Sequence, residues 1–221
     1  MPTATVEDYL KTLFKLQQRG NVRVKTKQVA EALDISLPSV TAMLKHLSAE
    51  GYVDYESYRG ASLTSDGRLA ALRVVRNHRL IEVFLVEVLG YHWDEVHAEA
   101  ERLEHAMSEQ LTNRIDAFLG YPRVDPHGDP IPGPDGDMQQ PVGESLLHVQ
   151  PPCDAVVKRV LDQASDVLQY LGEQGLRPGA AVRVVRFDPF DGPVWLEVDG
   201  RSVALSRSLA ARLVVEVTDH G

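Results

Sequence analysis

The strongest constraint on this chain is the succession of two short helices and a hairpin within residues 26–64. Thr26 to Leu33 carry Val29, Ala30 and Leu33 on one helical face, with Thr26 in a capping position. Asp34-Ile35-Ser36 leaves room for only a tight turn before a second helix, Leu37 to Ala49. Ser36 is its predicted N-cap, and Pro38 stands in the first turn, where a missing N–H costs least. Val40, Leu44 and Leu47 point inward, and Gly51 closes the helix. Tyr52 to Tyr55 and Ala61 to Thr64 read as short strands around the tip Tyr58-Arg59-Gly60, which makes the hairpin a wing. An earlier helix is predicted over 4–18, where Val6, Tyr9, Leu10, Leu13, Phe14 and Leu16 recur at helical spacing.

A winged helix-turn-helix lays its second helix in the major groove of DNA. Ser39, Thr41, Ala42 and Lys45 are its outward candidates. Hydroxyls suit base edges or phosphates, and the Ala methyl suits a thymine methyl. Lys25, Lys27, Lys45 and Arg59 suit phosphates, which position a protein without specifying sequence. The helix end at Ser36 to Pro38 offers free N–H groups to a further phosphate. The competing reading is a solvated helical head that binds another protein.

Beyond the wing, one helix is predicted from Ser65 to about Val75 and another from Asn77 to Leu89, ended by Gly90. A single amphipathic helix is predicted over 93–119, with Trp93, Val96, Leu103, Met107, Leu111, Ile115 and Phe118 apolar. That apolar surface exceeds what a small head covers, which points to a twofold subunit interface. Residues 120–152 hold eight prolines and read as a linker with a mobile middle. Residues 153–217 give strand candidates at Val156–Val160, Ala181–Phe187, Val194–Val198, Ser202–Leu205 and Leu213–Val217. A helix is predicted at Asp166–Leu171, and the whole suits a small barrel.

The middle of the chain also carries a ligand-like pattern. His78 and Glu82 are four apart and share a helical face. His97, Glu101 and His105 follow at spacings of four, with Glu104 close to the same stripe. Asp8, on the first helix, joins them if that helix packs across. One such His–Glu pair is more often a plain surface pair. Several on neighbouring helices point to a cation. We divide them into a site of His78, Glu82 and His97 and a site of Asp8, Glu101, Glu104 and His105, two per subunit. Imidazole and carboxylate without thiolate suit Mn²⁺ or Fe²⁺, although Zn²⁺ and Co²⁺ bind such sets more tightly. His92, His127, His148 and His220 receive no role.

Net charge is −9, which argues against a generic polyanion binder. The charge is uneven. Residues 1–76 hold eleven Lys/Arg against eight Asp/Glu, and residues 77–221 twelve against twenty-four. The basic half is the predicted DNA head, and the acidic half holds the predicted ligands. Hydrophobic residues are 43% of the chain, enough for real cores. The single cysteine, Cys153, excludes an intrachain disulfide and an all-cysteine zinc site. Neither a signal peptide nor a stretch of roughly 18–20 apolar residues is seen, so a cytoplasmic protein without membrane contact is expected.

The strings SVTAMLKHLSAEGYV, NHRLIEVFL and HAEAERLEHAMSE resemble the diphtheria-toxin-repressor family of metal-dependent regulators. The resemblance covers about residues 4–120. It extends through DPHGDPIPGPDG, and the C-terminal part resembles the SH3-like domain of the longer members. It implies a mainly α chain with four parts: a winged helix-turn-helix (1–64), a helical metal-binding and dimerisation domain (65–121), a linker (122–152) and an SH3-like β-barrel (153–221). It implies a homodimer, not an enzyme, that represses transcription at palindromic double-stranded operators near metal-transport genes. His78, Glu82 and His97 match one metal site; Glu104 and His105 match two ligands of the other. Asp8 and Glu101 stand where iron-responsive members have methionine and cysteine and manganese-responsive members have aspartate and glutamate. Replacing soft sulfur by hard oxygen favours Mn²⁺. Lys11 departs from the short manganese regulators, which have a glutamate ligand there. The two ligands that iron-responsive members take from the SH3-like domain have only Gln163 and Asp166 as loose counterparts. The alternatives are an iron-dependent repressor of the same family or a metal-independent winged-helix regulator. A metallohydrolase lacks support, there being no HExxH string.

Overall fold

The computed structural model describes residues 3–18, 20–140 and 142–220. It falls into two compact units that do not follow chain order. The first comprises residues 1–78, 103–109 and 132–138; the second comprises 79–102, 110–131 and 139–221.

In the first unit, α1 (Ala4–Gln18), α2 (Thr26–Leu33) and α3 (Leu37–Ala49) are followed by β1 (Val53–Glu56) and β2 (Gly60–Leu63). Leu10, Leu13 and Phe14 of α1 pack with Val29 of α2, Val40, Leu44 and Leu47 of α3, and Val53 of β1. Each such fully buried side chain contributes roughly 1.5–3 kcal/mol relative to exposure. The turn between α2 and α3 closes on Asp34, which adopts left-handed φ of 53°. Ser36 caps α3 by accepting a hydrogen bond from Ser39 N. β1 and β2 pair antiparallel, Val53 opposite Leu63 and Glu56 opposite Gly60. At Gly60, φ is +103° and a Cβ would stand 2.4 Å from Val24 O, so glycine is required where the wing meets the strand-like residue before α2.

α4 (Ser65–Glu87) is one uninterrupted helix, where two were expected. Its first part, with Ala71, Leu72 and Val75, belongs to the core of the first unit. The expected helix over 93–119 is broken instead. It becomes α5 (Val96–Leu103), a 3-10 turn (Glu104–Ala106) and α6 (Glu109–Phe118). Met107 leaves the helical region at ψ 124°, and Ser108, a residue type that favours helix starts, precedes α6. The turn belongs to the first unit.

In the second unit, Leu80 and Val83 pack with Ile131, Ile115 and Leu119. β3 (Glu144–Ser145), β4 (Cys153–Val160), β5 (Ala181–Phe187), β6 (Val194–Val198), β7 (Arg201–Leu205) and β8 (Leu213–His220) form one antiparallel sheet. Its strand order is β3-β8-β4-β5-β6-β7. Helix α7 (Ser165–Glu173) buries Leu168 and Leu171 against it, and α8 (Arg207–Ala210) buries Ala210. Trp93 packs into this same core.

The expected mobile middle of the proline-rich segment is not found. Asp125, His127 and Asp129 are buried, and Asp125 Oδ1 accepts from His127 N and Asp129 N, both at 2.9 Å. His127 O accepts from Val160 N at 2.9 Å. Gly128, at φ +87°, lies so close to β4 that a Cβ would stand 2.0 Å from Lys158 O. These contacts make the segment an ordered strap. Pro141 lies outside the described residues. Among the described residues no helix is long and apolar enough to cross a membrane.

Candidate metal centres and nucleic-acid interface

The first centre is built in the first unit from α1 and the 3-10 turn. Asp8, Glu104 and His105 each offer one ligand atom, and these atoms lie within 4.8 Å of one another. His105 Nε2 is 2.9 Å from Asp8 Oδ1 and 3.4 Å from Glu104 Oε1. Its other nitrogen, Nδ1, is 2.6 Å from Glu7 Oε2. Burial alone lowers the pKa of His105, but the Glu7 hydrogen bond and the charges of Glu104 and Asp8 outweigh it and raise the value. Glu104 is 1% exposed. Its Oε1 accepts from Lys11 Nζ, its Oε2 meets His78 Nδ1 at 2.5 Å, and its main-chain O accepts from Asn77 Nδ2. The break before α6 therefore turns a carboxylate inward among cationic and imidazole partners. His78, assigned from its spacing to the set with Glu82 and His97, here faces Glu104.

The second centre lies in the second unit around Glu82, which is fully buried. Glu82 Oε1 is 3.2 Å from His97 Nδ1, and His97 Nε2 is 3.6 Å from Glu101 Oε1. Glu82, Asp125 and His127 also offer three ligand atoms within 4.8 Å of one another, all on buried residues. His127 Nε2 donates to Trp93 O at 2.8 Å, which leaves Nδ1 as the ring atom near Glu82 Oε2, 3.7 Å away. Among the described residues, His127 Nδ1 and Asp125 Oδ2 have no hydrogen bond, although Arg79 Nε approaches Asp125 Oδ2 to 3.5 Å. Buried polar atoms without partners are costly, and a cation held there would remove that cost. Burial, Glu82 and Asp129 push Asp125 up to about 7. Burial lowers the pKa of His127, but the nearby carboxylates of Glu82 and Asp125 and the hydrogen bond to Trp93 O carry it to about 9.

Sequence reasoning missed Asp125 and His127. The one available signal was Asp-x-His inside a proline-rich string. Of the loose candidates in the β domain, Gln163 donates to Asp129 Oδ2 at 3.0 Å and Asp166 Oδ1 accepts from Val167 N.

On α3, Ser39, Ala42 and Lys45 are exposed and Thr41 is half-buried, with its hydroxyl donating to Leu37 O. Ser36 and Pro38 are exposed at the helix start. Lys27 is exposed and pairs with Glu31 at 3.5 Å, and Arg59 pairs with Glu56 at 3.0 Å. Lys25 Nζ donates to the carbonyls of Tyr58 and Arg59, both at 3.3 Å, so its ammonium braces the wing tip. Arg23 supports the wing from below through Asp54 and the Gly60 carbonyl.

Three family descriptions match the chain in order. Residues 1–61 match the iron dependent repressor N-terminal DNA binding domain, 64–133 its metal binding and dimerisation domain, and 145–217 the FeoA domain. The iron-dependent repressor IdeR of Mycobacterium tuberculosis (strain ATCC 25618 / H37Rv) is 33% identical over 224 residues, covering 96% of each chain. The diphtheria toxin repressor of Corynebacterium diphtheriae is 31% identical over 222 residues, with 96% of each covered. A solved manganese-dependent transcriptional repressor in complex with manganese superposes with a TM-score of 0.89 at 39% identity, covering 96% of this chain and 99% of that one. The manganese regulator SloR gives 0.77 at 35% identity, covering 99% and 100%. The chain therefore belongs to the iron-dependent repressor family, whose members are metal-dependent, DNA-binding transcriptional repressors.

Proposed function

We propose that this chain is a manganese-dependent transcriptional repressor of metal homeostasis. It acts in the cytoplasm as a homodimer on palindromic double-stranded operators. The observation that carries the metal choice is the donor set of the first centre. Asp8, Glu104 and His105 converge without sulfur, and hard oxygen donors suit Mn²⁺. The sequence reading adds Glu101 as a fourth donor; in the fold its Oε1 stands 3.6 Å from His97 Nε2 instead. A bound divalent ion would neutralise the carboxylates of the centre. Asp8 belongs to the first helix of the DNA-binding head, so ligation there would fix α1 against the 3-10 turn. That restraint is how ion binding would order the recognition helix.

The second ion would be held through Glu82. The spacing of His78, Glu82 and His97 supports one set. The burial of Asp125 and His127 and their atoms without hydrogen bonds support a set with those two instead. In a dimer, two α3 helices would meet successive major grooves roughly 34 Å apart. Iron is the second reading, favoured by the full-length likeness to IdeR.

The test is operator binding against buffered free Mn²⁺, Fe²⁺ (anaerobic) and Zn²⁺. Wild type should respond at lower free Mn²⁺ than Fe²⁺. Asp8→Met with Glu101→Cys should reverse that order. A double variant that keeps the wild-type order defeats the manganese assignment, and full operator affinity in metal-free protein defeats metal control itself.

A further inference from the structure

We infer that Glu7 is a positioning residue of the first centre, fixing which nitrogen of His105 faces the ion. This rests on the metal-site reading above and adds to it a residue outside the converging donor set.

Glu7 and Asp8 are neighbours on α1, and adjacent helical residues point about 100° apart. The imidazole of His105 fits between them. Glu7 Oε2 takes one ring nitrogen at 2.6 Å, and Asp8 Oδ1 stands 2.9 Å from the other. Both Glu7 and His105 are well covered, with side chains 20% and 17% exposed. An ionised carboxylate only accepts, so the Glu7 contact requires a hydrogen on Nδ1. Asp8 asks the same of Nε2, but the Glu7 contact is the shorter, so the neutral ring keeps its hydrogen on Nδ1 and its lone pair on Nε2, the atom nearest Asp8 and Glu104. Glu7 itself is on the far side of the ring and does not share an ion with Nε2. Its part is orientation and basicity: a carboxylate behind a ligating imidazole fixes tautomer and ring angle and makes the ligand atom a better donor. The consequence is mechanical as well. Two consecutive residues of the first helix grip one imidazole, so misplacing Glu7 loosens the seat of Asp8.

The experiment compares wild type with Glu7→Gln, Glu7→Ala and Asp8→Ala. Ring-nitrogen NMR of His105 is recorded in alkaline buffer without metal and again with Zn²⁺ as a diamagnetic probe. Zn²⁺ and Mn²⁺ affinities are measured by titration. Wild type should show hydrogen on Nδ1 in both states. Glu7→Ala should give a mixed tautomer without metal and about 10–100-fold weaker metal binding. Glu7→Gln, which keeps an accepting oxygen, should retain the Nδ1–H tautomer and lose less affinity. Wild-type tautomer and affinity in Glu7→Ala would overturn the inference. If Asp8→Ala leaves affinity unchanged, it is the metal-site reading that fails, and the metal-free tautomer still decides the role of Glu7.

Discussion

Lys11 and Glu104, 93 residues apart in the chain, form an ion pair inside the first unit, with side chains 5% and 0% exposed. The ammonium stands at one oxygen of a carboxylate that also belongs to the proposed first metal centre. Lysine is thus a resident cation beside the place proposed for a mobile one.

Removing it should expose that dependence. Breaking one side of a buried pair costs about 3–5 kcal/mol, because the remaining charge is stranded. Lys11→Met in chelator should lose stability on that scale, tempered by the His78 contact to Glu104. Saturating Mn²⁺ should restore a larger share of stability to the variant than to wild type. Denaturant titration with and without Mn²⁺ measures both, and equal stability of the two metal-free proteins would show that the pair carries no weight.

The second centre predicts a pH signature. His127, held up to about 9, has a folded value above its ordinary 6.5. Its contribution is complete below 6.5 and is lost as pH rises through 9. Asp125, held up to about 7 from 3.8, acts in the same direction: protonated in the fold, it contributes most below 3.8 and its benefit is gone above 7. Metal-free protein should therefore lose stability steadily from mildly acidic to alkaline pH. Mn²⁺ replaces protons at such donors, so the slope should flatten or reverse in its presence. Thermal melts across pH in chelator and in Mn²⁺ decide it, and parallel curves would contradict a cation site there.

At the DNA face, Lys45 and Arg59 are expected on phosphates and Lys25 on the wing. Lys45→Ala and Arg59→Ala should weaken specific and non-specific DNA alike and reduce the salt slope by about one each. The Arg59–Glu56 pair is exposed and contributes little, so it yields to phosphate readily. Lys25→Ala should weaken binding with little change in slope, since its ammonium already serves two wing carbonyls. A full unit of slope lost in Lys25→Ala would return it to the phosphate contacts.

The head was legible in the sequence because its signals are local. Helical spacing, the Ser36 cap, Gly51 and the wing tip each act within a few residues. The helix over 93–119 was misjudged because its apolar spacing continues across a real break. The break falls where Glu104 stands beside Lys11 and His78, contacts distant in the chain. The join near Asn77 erred the opposite way: Asn77 remains helical while its side chain serves the Glu104 carbonyl. Asp125 and His127 were hidden by composition. Proline and glycine usually mark loose chain, and nothing local distinguishes a strap that is hydrogen-bonded and buried. Spacing and resemblance propose Asp8, Glu104 and His105, but the Lys11 partner of Glu104 and the Glu7 partner of His105 required the fold.

The ordered strap also limits where this chain tolerates a change of length. Surface connections generally accept extra residues, because their backbone is solvated and uncommitted. Between Asp125 and Ile131 that freedom is missing. Asp125 N donates to Asp129 O, Ile131 N donates to Arg123 O, and Gly128 sits against β4 with no room for even one methyl. One inserted residue would shift Asp125 and His127 out of step with each other and with Glu82. A tag or a second domain spliced there should abolish the centre, whereas the exposed Gln139-Gln140 dipeptide is the place in this segment to attempt one.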